Sequence, residues 1–155
     1  MAMFTTIIDA VAVSAAQDLF SLKCGATRPF ILHSINLSQK TLTAVEGKQL
    51  LINRLTATFT QGSGGTAPTP ILLSPGSAAS AVTAHINDTT PGTTNGTTTK
   101  VYSDVWQFLN GWLWQPYPED RPYFDISTGC VVSMITAPSA SMTVSGTIVW
   151  EELGV

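Results

Sequence analysis

Met142, Val144, Gly146, Ile148 and Trp150 fall on every second position of MTVSGTIVWEE, with mostly small or polar residues between them. A period of two marks a strand with one face on a core, whereas a helix needs apolar residues at spacings of three and four. The same alternation runs through LTATFT, where Leu55, Ala57 and Phe59 interleave with Thr56, Thr58 and Thr60. No stretch carries a convincing helical stripe. The fold class that follows is all-β.

Further strands are expected along the chain. Thr5 to Ile8 reads as a short one and Gln17 to Lys23 (QDLFSLK) as a second. PFILHSINLS, opened by Arg28-Pro29, starts with a continuous apolar run, which predicts a strand buried on both faces. Gln49 to Thr60 reads as one long strand, and Val82 to Asn87 as another. Val101–Phe108 and Gly111–Gln115 flank Asn110-Gly111, a tight-turn signal, and Val131 to Thr136 precedes the terminal strand. QGSGGTAPTP reads as a flexible loop, GSAASA as a turn of helix, and residues 87–99, with seven threonines in thirteen positions, as an exposed loop. Eight or nine strands in a single domain, residues 1–155, with no linker and no internal repeat, predict a two-sheet antiparallel β-sandwich of jelly-roll type.

Charged residues make up 11% of the chain, against about 25% in an average soluble domain. Twenty-two threonines and fourteen serines supply the missing surface polarity, and threonine favours strands. So few charges also fit a domain that hides part of its surface against partners. The net charge is −3 and the seven Lys and Arg are scattered, so no face is basic enough for nucleic acid. No apolar run approaches the roughly 18 residues of a membrane span. The N-terminal stretch MAMFTTIIDAVAVSAAQ carries no Lys or Arg, and Asp9 interrupts its apolar run. An ordered first strand is expected there rather than a targeting segment.

The motifs of catalysis are missing. There is no G-x-S-x-G, H-E-x-x-H, Walker A or dinucleotide fingerprint, and GSGG at 62–65 lacks the lysine and helix of a phosphate cradle. His33 and His85 each lie within an expected strand, as core or interface residues. Cys24 and Cys130 read as buried free thiols, and a zinc set from these four has no close ligand pair. No cofactor or metal is expected. Glu119 and Asp120 are adjacent, whereas glycoside hydrolysis needs two carboxyl groups facing each other across a substrate. With Arg121 they read as a solvated turn in which the arginine bridges a carboxylate.

GWLWQPYPEDRPYF, residues 111–124, holds five aromatic residues and three prolines. Trp112 and Trp114, two apart, share one strand face. That face is either core or a platform for a partner or a sugar.

The order of QDLFSL, INLSQ, the GSGGTAPTP loop, the Pro75-Gly76 turn, the threonine-rich loop, GWLWQPYPEDR and MTVSGTIVWEELG resembles small jelly-roll structural proteins of tailed bacteriophages, head-decoration or cement proteins among them. The resemblance runs over most of the chain and is strongest at Gly111–Arg121 and Met142–Gly154. It implies a non-enzymatic virion protein at the capsid surface, a homotrimer that binds the major capsid protein where capsid subunits meet. It implies an interface that includes Trp112, Trp114, Tyr117, Glu119, Asp120 and Arg121, with residues 1–16 as a further contact arm. A head-to-tail or tail accessory is the nearest alternative. A carbohydrate-binding module contacting host glycans is the alternative from another class.

Overall fold

The computed structural model describes residues 1–154. Their strands are β1 (Ala2–Val13), β2 (Gln17–Lys23), β3 (Phe30–Gln39), β4 (Gly47–Leu55), β5 (Phe59–Thr60), β6 (Ile71–Leu72), β7 (Thr83–Asp88), β8 (Thr93–Thr94), β9 (Thr98–Gln107), β10 (Trp112–Trp114), β11 (Tyr123–Phe124), β12 (Gly129–Met134) and β13 (Met142–Glu152). Eight of these have six residues or more, which matches the number the alternation predicted. One six-stranded sheet runs β10-β3-β13-β1-β6, with β11 also on β3. A five-stranded sheet runs β7-β2-β12-β4-β9, and β5 and β8 form a small ribbon. All pairings are antiparallel. The protein is an all-β sandwich.

The alternation of MTVSGTIVWEE is obeyed along the whole of β13, where every second residue from Met142 is buried and the intervening residues are half-exposed. β13 lies between β1 and β3, in the middle of its sheet. Its Trp150 is fully buried and stacks on Phe4 at 6.0 Å. From the facing sheet come Phe20, Leu22, Ile52 and Val132, all fully buried. Truncating a buried aromatic of this kind costs about 3–5 kcal/mol.

The structure corrects several expectations. Residues 2–13 form one long strand of the sandwich, bonded to β13 along its length, and only its outward side chains are left for contact. β3 is buried on one face only, since Ile31 and His33 are half-exposed. The strand expected from Gln49 to Thr60 breaks at Ala57, whose φ of 58° is left-handed. Thr56 and Thr97 bond each other there, and β5 turns away to pair with β8. Phe59 is thereby folded over the outer face of the five-stranded sheet, against Leu55 and Val131. The threonine-rich loop supplies β8 and the start of β9. GSAASA holds no helix, and the single helical turn among the described residues is the 3-10 turn Pro118–Asp120. β9 and β10 do not form a hairpin. β9 pairs with β4 and β10 with β3, so the Asn110-Gly111 turn carries the chain from one sheet to the other. Trp106 and Phe108, edge to face at 4.8 Å and buried, hold that crossing in the core.

Candidate functional site

Parity along β10 decides the role of its tryptophans. Trp112 and Trp114 point inward and are 7% and 6% exposed, while Leu113 between them is 65% exposed. The face they share is therefore the core of this chain. Trp112 donates its indole N–H to Asp104 at 3.0 Å, a bond between the two sheets. Trp106 donates to the Asn110 carbonyl, and Trp150 to Glu152. Trp114 has no protein acceptor among the described residues, and its N–H is not sealed from solvent. Its ring lies 5.8 Å from that of Tyr102 on β9, tilted by 58°.

Beyond β10 the prolines set the backbone. Tyr117, between Pro116 and Pro118, has φ −59° and ψ 154° and is 78% exposed. Glu119 and Asp120 follow on the exposed 3-10 turn, solvated as expected. Arg121 bridges neither carboxylate. It is half-buried, and its Nε has no hydrogen-bond partner in the structure. The chain then rejoins the sheet as β11, where Phe124 stacks on Phe30 at 4.8 Å. Arg54 of β4 reaches over the Phe124 ring and donates to the Tyr123 carbonyl, tying the sheets together at this edge.

Between β9 and β10 lies a cleft of about 530 Å³, walled by Val101, Tyr102, Leu113, Trp114, residues 115–117 and Asp120. β9 has a bulge here, because the pairing with β4 steps from Ile52↔Tyr102 to Asn53↔Lys100 and leaves Val101 unpaired. Val101 and Tyr102 both line the cleft as a result. Bulges at sheet edges commonly re-aim side chains in this way.

A second exposed feature was not apparent from the residue types alone. The β3–β4 loop carries Leu42 and Val45, 68% and 67% exposed, and the turn after β9 carries Leu109, 53% exposed. Hydrogen bonds gather these loops at one end of the sandwich. Gln39 donates to the carbonyls of Ala44 and Phe108, and Phe108 N–H bonds the Glu46 carbonyl. Thr43 donates to the Ser141 carbonyl at 2.9 Å. Glu46 accepts from the Ser139 N–H and pairs with Lys48, which hold its carboxyl down to about 2. The only signal in the sequence is two large aliphatic residues, Leu42 and Val45, in the mostly polar TLTAVEGK.

The other singled-out residues stay apart. His33 faces Glu151 at 3.0 Å on the six-stranded sheet, and His85 faces Asp88 at 3.3 Å on the five-stranded one. Both cysteines are buried and free. Burial, then Glu152 and Asp125, push the Cys24 thiol up to about 11, and burial raises Cys130 further. Such thiols are poor nucleophiles. Among the described residues no three His, Cys, Asp or Glu side chains converge as metal ligands, and no helix is long and apolar enough to cross a membrane. Compared with protein-family models, with curated proteins and with solved structures, the chain finds no match.

Proposed function

We propose that the chain is a non-enzymatic structural protein of a tailed-phage particle, a jelly-roll decoration protein that binds the major capsid protein as a homotrimer and reinforces the head. The order of the sheets supports the jelly-roll reading. With β10 and β11 counted as one, and with β6, β7 and the β5–β8 pair set aside, the remaining eight strands pair as first-eighth-third-sixth and second-seventh-fourth-fifth, an order in which the chain wraps around the core, and β7 adds a fifth strand beside β2. The phage assignment rests on the resemblance.

The observation that carries the docking role is the hydrogen-bonded loop end. Leu42, Val45 and Leu109 are exposed aliphatic side chains on a frame fixed by Gln39, Thr43 and Glu46. A rigid apolar tip loses little conformational entropy on docking, and its desolvation drives association. Glu119, Asp120 and Arg121 lie at the flank for polar contacts with the capsid or a neighbouring copy. Trp112 and Trp114 hold up that flank from inside.

Light scattering after size exclusion tests the oligomer, with about 49 kDa expected for three chains of 16.4 kDa. Co-sedimentation with heads that lack the protein tests the docking face. Wild-type protein is expected to bind and to raise the melting temperature of the heads. Leu42→Asp with Val45→Asp should melt like wild type and bind at least tenfold more weakly. Equal binding by the double variant would remove the loop end from the interface, and no binding by either protein would end the decoration reading.

A further inference from the structure

From the cleft between β9 and β10 we infer a second capability: a binding site for a neutral oligosaccharide, with sugar rings stacked on Tyr117 and Tyr102. It shares Asp120 with the flank proposed for polar docking contacts and otherwise stands apart from the apolar loop tips at the end of the sandwich.

Five observations carry it. The cleft's volume of about 530 Å³ is that of a small-ligand site. Its aromatic rings come from three separate segments: Tyr102 from β9, Trp114 from β10 and Tyr117 from the proline-bounded turn. Each is fixed in its own way: Tyr102 by the bulge at Val101, Trp114 by burial, and Tyr117 by the prolines on either side. A tyrosine that is 78% exposed contributes little to the core, so its rigid presentation is unexplained by folding. Finally, the polar groups are unspent. The Trp114 indole N–H has no protein acceptor, and the Asp120 carboxylate and the Gln115 amide have no side-chain partner among the described residues.

The chemistry of the walls selects the ligand. No lysine, arginine or histidine lines the cleft and Asp120 is acidic, so a phosphate or other anion is disfavoured. Leu113 and Tyr117 are open to water, so an acyl chain would stay wet. A pyranose has an apolar face for an aromatic ring and hydroxyls that both donate and accept, matching the indole N–H, the amide and the carboxylate. A polyproline peptide also stacks on aromatic grooves, but it offers only carbonyl acceptors and leaves Asp120 unmatched.

The test is a titration of the full-length, 15N-labelled chain with cellohexaose, maltohexaose and chitohexaose in turn, and with a decaproline peptide, followed by NMR. At least one sugar is expected to shift Tyr102, Leu113, Gln115 and Tyr117 saturably. Tyr117→Ala should bind that sugar at least tenfold more weakly with an unchanged melting temperature, and Asp120→Asn roughly threefold more weakly. The proposal is overturned if none of the three sugars moves these resonances, if the shifts lie elsewhere, or if Tyr117→Ala binds as wild type. Shifts from decaproline alone would reassign the cleft to peptide.

Discussion

Glu152 shows what one residue does in a sandwich so short of charge. It is fully buried at the end of β13. Its carboxylate accepts from the Ser80 hydroxyl, from the backbone N–H groups of Ala81 and Val82 at 3.0 and 3.3 Å, and from the Trp150 indole, with Arg28 at 3.7 Å. One side chain thus pins the segment before β7 to the other sheet. Glu152→Ala leaves several buried donors without an acceptor, a loss of about 3 kcal/mol. For a chain of this length that lowers the melting temperature by roughly 10 °C. Glu151, next along the chain but half-exposed and facing His33, is the control, and Glu151→Ala should cost under about 1 kcal/mol. Equal losses in thermal melts would show that the buried network adds nothing.

Among the elements, the small ribbon of β5 and β8 depends on a glycine. A Cβ built on Gly129, the first residue of β12, would sit inside the contact distance of the Phe59 ring. Phe59, Leu55 and Val131 form a separate apolar cluster on the outer face of the five-stranded sheet. Gly129→Ala should therefore lift Phe59 and destabilise the fold by about 1–3 kcal/mol, as overpacking does. Gly129→Ala in a Phe59→Leu background should recover part of the loss. Additive costs in urea melts would contradict the clash. This ribbon also marks where the sequence stopped being legible. β13 and the shared face of Trp112 and Trp114 could be read because burial on one face imposes a period of two, but whether that face is core or platform could not. The break after Leu55 could not, because Ala57 and Phe59 keep that period while the backbone turns left-handed at Ala57. Nor does Asn110-Gly111 say whether the chain returns along its own sheet or crosses to the other. That is settled by Trp106 and Phe108 packing in the core, a contact between distant strands. The cleft was half legible: Tyr117 and Asp120 stood out in GWLWQPYPEDR, whereas Tyr102 joined them only through the bulge.

At the scale of the molecule, pH acts through two carboxyls. Asp18 on β2 and Asp88 on β7 are register partners, 3% and 1% exposed. Asp18 accepts from Ser133 and Gly92, Asp88 faces His85, and one Asp88 oxygen has no partner. Burial raises both carboxyls above their ordinary 3.8, and for Asp18 the Asp88 charge adds to it. A carboxyl whose pKa is raised by folding costs nothing while protonated in both states. The cost appears as pH climbs from about 3.8 through the raised value, and it stays above it. Asp88→Asn should therefore gain stability relative to wild type as pH rises through that window, and show no such gain below it. Melting temperatures of the two proteins from pH 3 to 7 check this, and a constant difference would refute it.

The position of β13 has a consequence for how the protein is made. β13 is synthesised after both of the strands it joins, so until residues 142–152 emerge β1 and β3 belong to separate pieces of the six-stranded sheet. β1 precedes β13 by about 130 residues and must wait with that edge unpaired. Nascent chains halted before Met142 should be the species that chaperones hold and proteases cut.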